Sequence, residues 1–379
     1  MMMAGTEGME TKVEVILGVD THLDFHVAVV LDHLGRRLGE LSVPTTAKGY
    51  EKLLCWVEGF GPLRCAGIEG TSSYGAGLAR YLKARGSRCW RWSALKLPKR
   101  RRPSSRRNAE KSDPLDAEGA ARAVLAGETS GVPKSGEGRV EMIRALRTAR
   151  RSAMKARTQA ANQLQGLRVT APEELHHRLR GLCTKELVAV AARFRLGDDP
   201  HDVAAATKFA LRSVARRYKA LSEEIAELDA QLDRMVRQAA PELVSLAGIG
   251  TDHAAALLIV AADNPERLRS EASFASLCGV SPVEASSGKV VRHRLNRGGN
   301  RDANRALYMI CLARMRRDRR TKEYVARRSA EGKSKREIIR CLKRYVAREV
   351  YRVLVSCGPR SSPTSPKEEA KIGAGDNAT

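Results

Sequence analysis

The sequence predicts a mixed α/β N-terminal domain, a helical middle carrying a coiled-coil seam, and a mainly α C-terminal domain. Three observations predict it. Between Val13 and Trp92, strand-like and helix-like stretches follow the order βββαβαβ. Between Val214 and Leu232, apolar residues recur by fours and threes, the period of a heptad seam. From Leu246 onward, the glycine turn Leu246-Ala247-Gly248-Ile249-Gly250 joins two helical stretches. The expected domains are residues 11–130, 139–239 and 240–356; a Ser/Pro/Gly-rich tail over 357–379 is expected to be disordered.

The elements follow from local pattern. Val13 to Val19 alternates in part and ends in Gly18-Val19-Asp20. Phe25, Val27, Val29 and Leu31 alternate with their neighbours, and Arg36 to Val43 follows the turn Asp32-His33-Leu34-Gly35. Two close hairpins therefore start the chain as three antiparallel strands. Ala47 to Gly59 is helical, with Tyr50, Leu53, Leu54 and Val57 on one face. Arg64 to Ile68 is a short buried strand, Tyr74 to Arg85 a helix stopped by Gly86, and Arg88 to Trp92 a further strand. This is the element order of a ribonuclease-H-like fold. A fold by itself fixes no activity.

Composition narrows the partners. The 68 Lys and Arg against 43 Asp and Glu leave a formal charge of +25, and 42% hydrophobic residues suffice for folded cores. A folded polycation calls for a polyanion, nucleic acid first. Aromatics are only 4%, which disfavours single-strand binding by base stacking. The eight cysteines form no C-x-x-C pair and no zinc spacing; they read as reduced, mostly buried thiols. Met1 to Glu10 lacks the apolar core of a signal peptide, and no apolar run is long enough for a membrane span. A cytoplasmic protein without a membrane partner is expected.

Four acids carry the chemistry. Asp20 ends the first strand and Glu69 the fourth; Asp113 and Asp116 sit three apart at a helix start. Strand ends at the carboxyl edge of a mixed sheet are where sites gather. For the helix start, Ser112 is the N-cap with Pro114 at N2, or Asp113 is the cap with Pro114 at N1; the second fits the preference for proline at N1. Each acid alone reads equally well as a turn or capping residue. Together, in this order, they read as the ligands of Mg²⁺ or Mn²⁺, in a site suited to phosphoryl transfer. The preceding stretch from Lys96 to Arg107 is too basic and too rich in Pro and Ser to fold alone. Lys99, Arg100, Arg101, Arg102, Arg106 and Arg107 are candidates for tracking a nucleic-acid backbone.

After a Gly/Pro/Ser-rich joint over residues 127–138, Ile143, Leu146, Ala153, Ala160, Leu164 and Leu167 make a narrow seam amid arginines. A second long helix is expected from about Ala204 to Gln238. The two pair within the chain or between chains. His176 to Asp199 reads as helical but poorly specified. The turn at Gly248-Ile249-Gly250 gives a helix-hairpin-helix pattern, which offers backbone N–H groups to a phosphate. Beyond it lie the loop Ser281 to Gly288, a basic run from Lys289 to Leu295, a helix from Asp302 to Arg317, and a last basic helix from Lys335 to Val355.

The motifs Gly18-Val19-Asp20-Thr21-His22, Gly67-Ile68-Glu69-Gly70-Thr71 and Lys111-Ser112-Asp113-Pro114-Leu115-Asp116-Ala117 appear in order. They precede Leu246-Ala247-Gly248-Ile249-Gly250, Ser287-Gly288, Gly299-Asn300-Arg301 and Arg305-Ala306-Leu307-Tyr308. In these the chain resembles the DEDD-type transposases of the insertion sequence 110 family, over roughly Val15 to Val355. The resemblance implies a RuvC-like N-terminal domain whose catalytic, metal-binding acids are Asp20, Glu69, Asp113 and Asp116. It also implies a serine nucleophile in the C-terminal transposase domain. That residue maps to Ser287; Ser286 is adjacent, and the Ser-Gly step favours Ser287. Spacing alone would leave these serines an ordinary loop. The implied reaction cuts and rejoins DNA through a covalent phosphoserine ester. Arg292, Arg294, Arg297 and Arg301 become phosphate clamps. The implied partners are the element's DNA ends and target, a structured bridge RNA as guide, and further copies of the chain in a dimer or tetramer. The implied location is the prokaryotic cytoplasm, at the nucleoid when DNA is bound. The rivals are a junction nuclease that uses the acids and water, and a non-catalytic nucleic-acid-binding protein.

Overall fold

The computed structural model describes residues 13–92, 112–128, 133, 136, 138–195, 202–261, 268, 270–284, 286, 293–296 and 298–356. The chain divides into two compact units, residues 1–136 and 137–379.

The first unit holds β1 (Val15–Thr21), β2 (Phe25–Leu31), β3 (Arg37–Pro44), α1 (Ala47–Phe60), β4 (Leu63–Glu69), α2 (Ala76–Ala84), β5 (Cys89–Trp92) and α3 (Asp113–Leu125). The sheet order is β3-β2-β1-β4-β5. The first three strands pair antiparallel, and β4 and β5 run parallel to β1. Side chains alternate across the pleat, so each face gets its own core. Val15, Leu17, Val19, Ala66 and Ile68 pack under α1 and α2 with Leu53, Val57, Leu78 and Leu82. Ile16, Val29, Leu31 and Cys65 pack on the other face against Ala117, Ala121 and Val124 of α3. Strands covered on both sides read as near-continuous apolar runs, which is why β1 alternates only in part.

Helix α3 lies against the sheet because two glycines make room for it. Gly18 and Gly67 are paired neighbours in the parallel ladder of β1 and β4. A Cβ on Gly18 would stand 2.0 Å from the Ala117 carbonyl oxygen, and one on Gly67 2.5 Å from that of Ala120. The helix backbone rests directly on the strand backbones, with alanines at the contact. No side chain of ordinary size fits between them.

The second unit is mainly helical. Helices α4 (Gly138–Val169) and α7 (Val203–Ala239) pack along each other, with α5 (Glu173–Leu179) and α6 (Thr184–Ala191) between them in sequence. Leu164 near the end of α4 shares a core with Leu211 and Ala215 near the start of α7. Ile143 near the start of α4 shares another with Leu232 and Val236 near the end of α7. The pair is therefore an antiparallel hairpin within one chain. Its seam coincides with the expected one at Ile225 and Leu232, which are buried, and departs from it earlier in α7, where Leu211 and Ala215 are buried and Val214 is half-buried. The segment from His176 to Asp199 is not one helix. A left-handed turn at Gly181 separates α5 from α6, as glycine readily allows.

The rest of the unit is α8 (Pro241–Ser245), α9 (Thr251–Ala261), α10 (Glu271–Leu277), the ribbon β6 (Pro282–Glu284) and β7 (His293–Leu295), then α11 (Arg301–Arg317), α12 (Arg319–Ala330) and α13 (Lys335–Ser356). Helices α8 and α9 flank the expected glycine turn. The ribbon and α12 have no counterpart in the sequence reading. Three-residue strands are too short to show a period. Helix α12 buries only Thr321, so it carries no apolar stripe; Asp318 caps it by accepting from the Thr321 N–H at 2.8 Å. The cysteines are less buried than expected. Cys65, Cys278 and Cys311 are buried, but Cys55 and Cys183 are exposed. Burial pushes the Cys278 and Cys311 thiols up to about 12, which keeps them protonated and unreactive. Among the described residues no helix is long and apolar enough to cross a membrane.

Candidate metal centre

On the face of the sheet covered by α3, β1 presents Ile16, Gly18 and Asp20 in succession, and β4 presents Cys65, Gly67 and Glu69. The pleat thus puts one acid at each strand end, two residues beyond the glycine that seats the helix. Helix α3 begins at Asp113, four residues before the Ala117 that touches Gly18. One turn of helix, about 5.4 Å, returns the chain from the glycine contact to the strand end. The glycine slot is what sets a helix start beside Asp20.

Ser112 is the N-cap of α3, with extended backbone and no side-chain cap bond. The first of the two alternatives for this helix start is the observed one, and the proline preference pointed to the other. With Asp113 at N1 its carboxylate does not cap the helix. It turns instead to His22, whose Nε2 lies 3.1 Å from Asp113 Oδ2 and 3.3 Å from Asp20 Oδ2.

Asp20, His22 and Asp113 have ligand atoms all within 4.8 Å of one another, the only such group of three among the described residues. Asp20 is 8% exposed, and its Oδ1 accepts from the Thr21 N–H at 3.0 Å. A buried carboxylate is costly without a positive partner, and among the described residues no Lys or Arg pairs with Asp20. His22 stacks on Phe25 with ring centroids 4.8 Å apart. Its Nε2 is buried and aligned for a hydrogen bond with neither carboxylate. Three converging donors with an unsatisfied imidazole nitrogen among them fit a divalent cation.

His22 has no place in the acid set read from the sequence. The available signal was its position two residues after Asp20, on the same side of the strand path. Glu69 and Asp116 stand outside the group of three. Glu69 is half-buried, and its carbonyl accepts from the Thr21 hydroxyl at 3.1 Å, tying the ends of β1 and β4 together. Asp116 is 9% exposed in the first turn of α3. Replacing His22 with Ala is expected to weaken Mn²⁺ binding at least ~10–100-fold, the loss usual even for outer-shell partners of a metal. Titration calorimetry or Mn²⁺ paramagnetic resonance reads this directly; unchanged affinity removes His22 from the site.

Of the other sequence candidates, Ser286 is exposed between the ribbon strands in sequence, Arg294 is exposed on β7, and Arg301 is exposed at the start of α11. Asn300 caps that helix by accepting from the Ala303 N–H at 3.0 Å. Ser287, Arg292, Arg297 and the basic set Lys99, Arg100, Arg101, Arg102, Arg106 and Arg107 lie outside the described residues.

The first unit is thus a mixed-sheet domain with a candidate divalent-metal centre at its strand ends. Residues 17–169 match a transposase family model, DEDD_Tnp_IS110, and residues 240–326 match the transposase IS116/IS110/IS902 family. An insertion element IS110 uncharacterized 43.6 kDa protein of Streptomyces coelicolor is 32% identical over 125 residues, covering 32% of this chain and 31% of that protein. The chain thus spans about a third of the length of the curated relative it matches. With matches in both units, the chain belongs to the IS110 family of transposases.

Proposed function

We propose that this chain is a DNA transposase acting as a site-specific recombinase, with a ribonuclease-H-like (RuvC-like) catalytic unit. The observation that carries the reading is the convergence of Asp20, His22 and Asp113 at the carboxyl edge of a sheet ordered β3-β2-β1-β4-β5. Glu69 and Asp116, at the same end of β4 and α3, complete the acid set. Mg²⁺ or Mn²⁺ is the ion this set would hold; the His22 nitrogen favours Mn²⁺, since Mg²⁺ keeps to oxygen ligands. When bound, such an ion neutralises charge that develops on phosphoryl oxygens.

Ser287 is the proposed nucleophile. A serine hydroxyl is weakly nucleophilic at neutral pH and needs activation, which the acid site supplies in this reading. Its Oγ attacks a DNA phosphorus, giving up its proton; one P–O bond forms as one breaks, and the released sugar hydroxyl takes up a proton. The reverse attack by a sugar hydroxyl rejoins DNA and frees the serine, with no external energy source. The basic set from Lys99 to Arg107, together with Arg292, Arg294, Arg297 and Arg301, holds phosphates. A structured bridge RNA selects donor and target, and the chain works as a dimer or tetramer in the cytoplasm.

The test is covalent trapping. The protein is incubated with Mg²⁺ or Mn²⁺, the element's junction DNA and RNA transcribed from its flanking non-coding end, then run on a denaturing gel. A protein–DNA adduct lost with Ser287→Ala and kept with Ser286→Ala is the expected result. Cleavage without an adduct points to hydrolysis by the acids and water. Binding without cleavage points to a nucleic-acid-binding protein.

A further inference from the structure

We infer that the second unit contains a built cleft for the backbone of a double-stranded nucleic acid, between α4, α9 and α11. The inference rests on the nucleic-acid function proposed above and, Arg301 apart, concerns residues outside the sets proposed there. The cleft has a volume of about 440 Å³. Arg147, Arg150, Arg151 and Lys155 line it from α4. Their spacing puts them on one helix face, over about 12 Å of axis at 1.5 Å per residue. That length covers about three steps of a duplex strand at 3.4 Å each.

The opposite wall is made by two helix N-termini. Asp252 lies in the first turn of α9, just past the Gly248-Ile249-Gly250 turn, and Asp302 in the first turn of α11. Arg147 donates through Nε and Nη2 to Asp252 at 3.1 and 3.4 Å, and its Nη1 is 3.7 Å from Asp302. Arg150 bridges Asp252 and Asp229, and Arg151 pairs with Asp302. The Arg147 and Arg150 side chains are only 12% and 18% exposed. The acids thus fix long side chains that would otherwise lose rotamer freedom on binding.

Charge does not close within the cluster. Three arginines are matched by Asp229, Asp252 and Asp302. Lys155 and Arg305, both exposed, add cations with no acid partner among the described residues. The dipoles of α9 and α11 add partial positive charge on the same side. Burial, together with Arg147 and Arg305, holds the His253 imidazole below its usual pKa against the pull of Asp252, leaving a neutral ring in the wall. The apolar lining is Met154, Ala306 and Met309, and among the described residues no Phe, Tyr or Trp lines the cleft; His253 is its one ring. A strand with exposed bases would want aromatic platforms; a duplex presents phosphates alone. Arg301, one turn before Arg305 on α11, continues the same face, and the β6–β7 ribbon, with Ser286 between its strands, precedes α11 in the chain.

The test measures duplex affinity against salt for the full chain, by fluorescence anisotropy, with duplex DNA and duplex RNA of one sequence. Lys155→Ala/Arg305→Ala removes exposed, unpaired cations and leaves the Asp-held arginines in place, so folding is not at issue. The slope of log affinity against log salt is expected to fall by about 1.8, at ~0.9 per lost phosphate contact, on one or both duplexes. Arg216→Ala/Lys219→Ala on the exposed surface of α7 removes equal charge outside the lining and is expected to leave the slope unchanged. An unchanged slope in the cleft variant, or an equal fall in the α7 variant, overturns the cleft and leaves the transposase reading intact. A wild-type chain that binds neither duplex overturns both.

Discussion

Asp20→Asn and Asp113→Asn are each expected to lower DNA cleavage about a thousandfold or more while the first unit stays folded. Either change keeps the shape of the side chain and removes a charge. Stabilisation of developing charge by a bound divalent ion is worth several kcal/mol, and each 1.36 kcal/mol is a factor of ten in rate. The fold should not suffer. Asp20 is 8% exposed and pairs with no Lys or Arg among the described residues, so neutralising it removes a desolvation cost. Without metal, Asp20→Asn should melt at or above the wild-type temperature. With millimolar Mn²⁺ the order should reverse, because only the wild-type chain gains binding free energy on top of folding. Cleavage retained in both variants would dismiss the carboxylates from the chemistry. Melting that ignores Mn²⁺ in the wild-type chain would dismiss the metal.

Gly18→Val is expected to cost about 3 kcal/mol or more and to abolish Mn²⁺ binding, although residue 18 offers no ligand atom. The Cβ alone would lie 2.0 Å from the Ala117 carbonyl oxygen and 2.6 Å from the Ala121 nitrogen. Both are backbone atoms of α3 and cannot swing away as a side-chain tip could. Overpacking usually costs 1–3 kcal/mol, and backbone contact on both sides puts this case at the top of that range. Relief comes by lifting α3 off the sheet, which carries Asp113 away from His22. Denaturant unfolding of the full chain, with Mn²⁺ titration on whatever folds, reads both effects. Gly18→Ala with wild-type stability and metal affinity would show that α3 does not rest on β1 in this way.

The order βββαβαβ was legible because β1, β2 and β4 are apolar runs between turn residues, and α1 and α2 each have a buried stripe. The position of α3 was not. Gly18 and Gly67 look like ordinary small residues until the parallel ladder pairs them. Asp20 and Asp113 stood out as acids at element ends. His22 did not, since a strand end followed by a turn gives no reason to expect its ring to face back toward Asp20. Of the two starts open for α3, the proline preference favoured the one not observed, because that rule weighs one residue, whereas the Asp113 carboxylate lies beside His22. The long helices were legible, but their pairing within one chain depends on ends distant in sequence that meet, Leu164 with Leu211 and Ile143 with Leu232. Helix α12 and the β6–β7 ribbon carry too little buried surface to leave a pattern.

The seating of α3 on bare backbone has a consequence for how the protein tolerates change. Between β1 and α3 at Gly18 there is no intervening layer of side chains whose repacking could detune the distance from Asp20 to Asp113. The sheet therefore works as a partition. Beneath α1 and α2, large aliphatic residues such as Leu53, Leu78 and Leu82 can be exchanged for others of similar volume at modest cost, and the strands do not pass the disturbance on. Above the sheet, where α3 meets Gly18 and Gly67, tolerance narrows to glycine and alanine. Stability can drift on one side of this domain while the spacing of Asp20 and Asp113 stays fixed on the other.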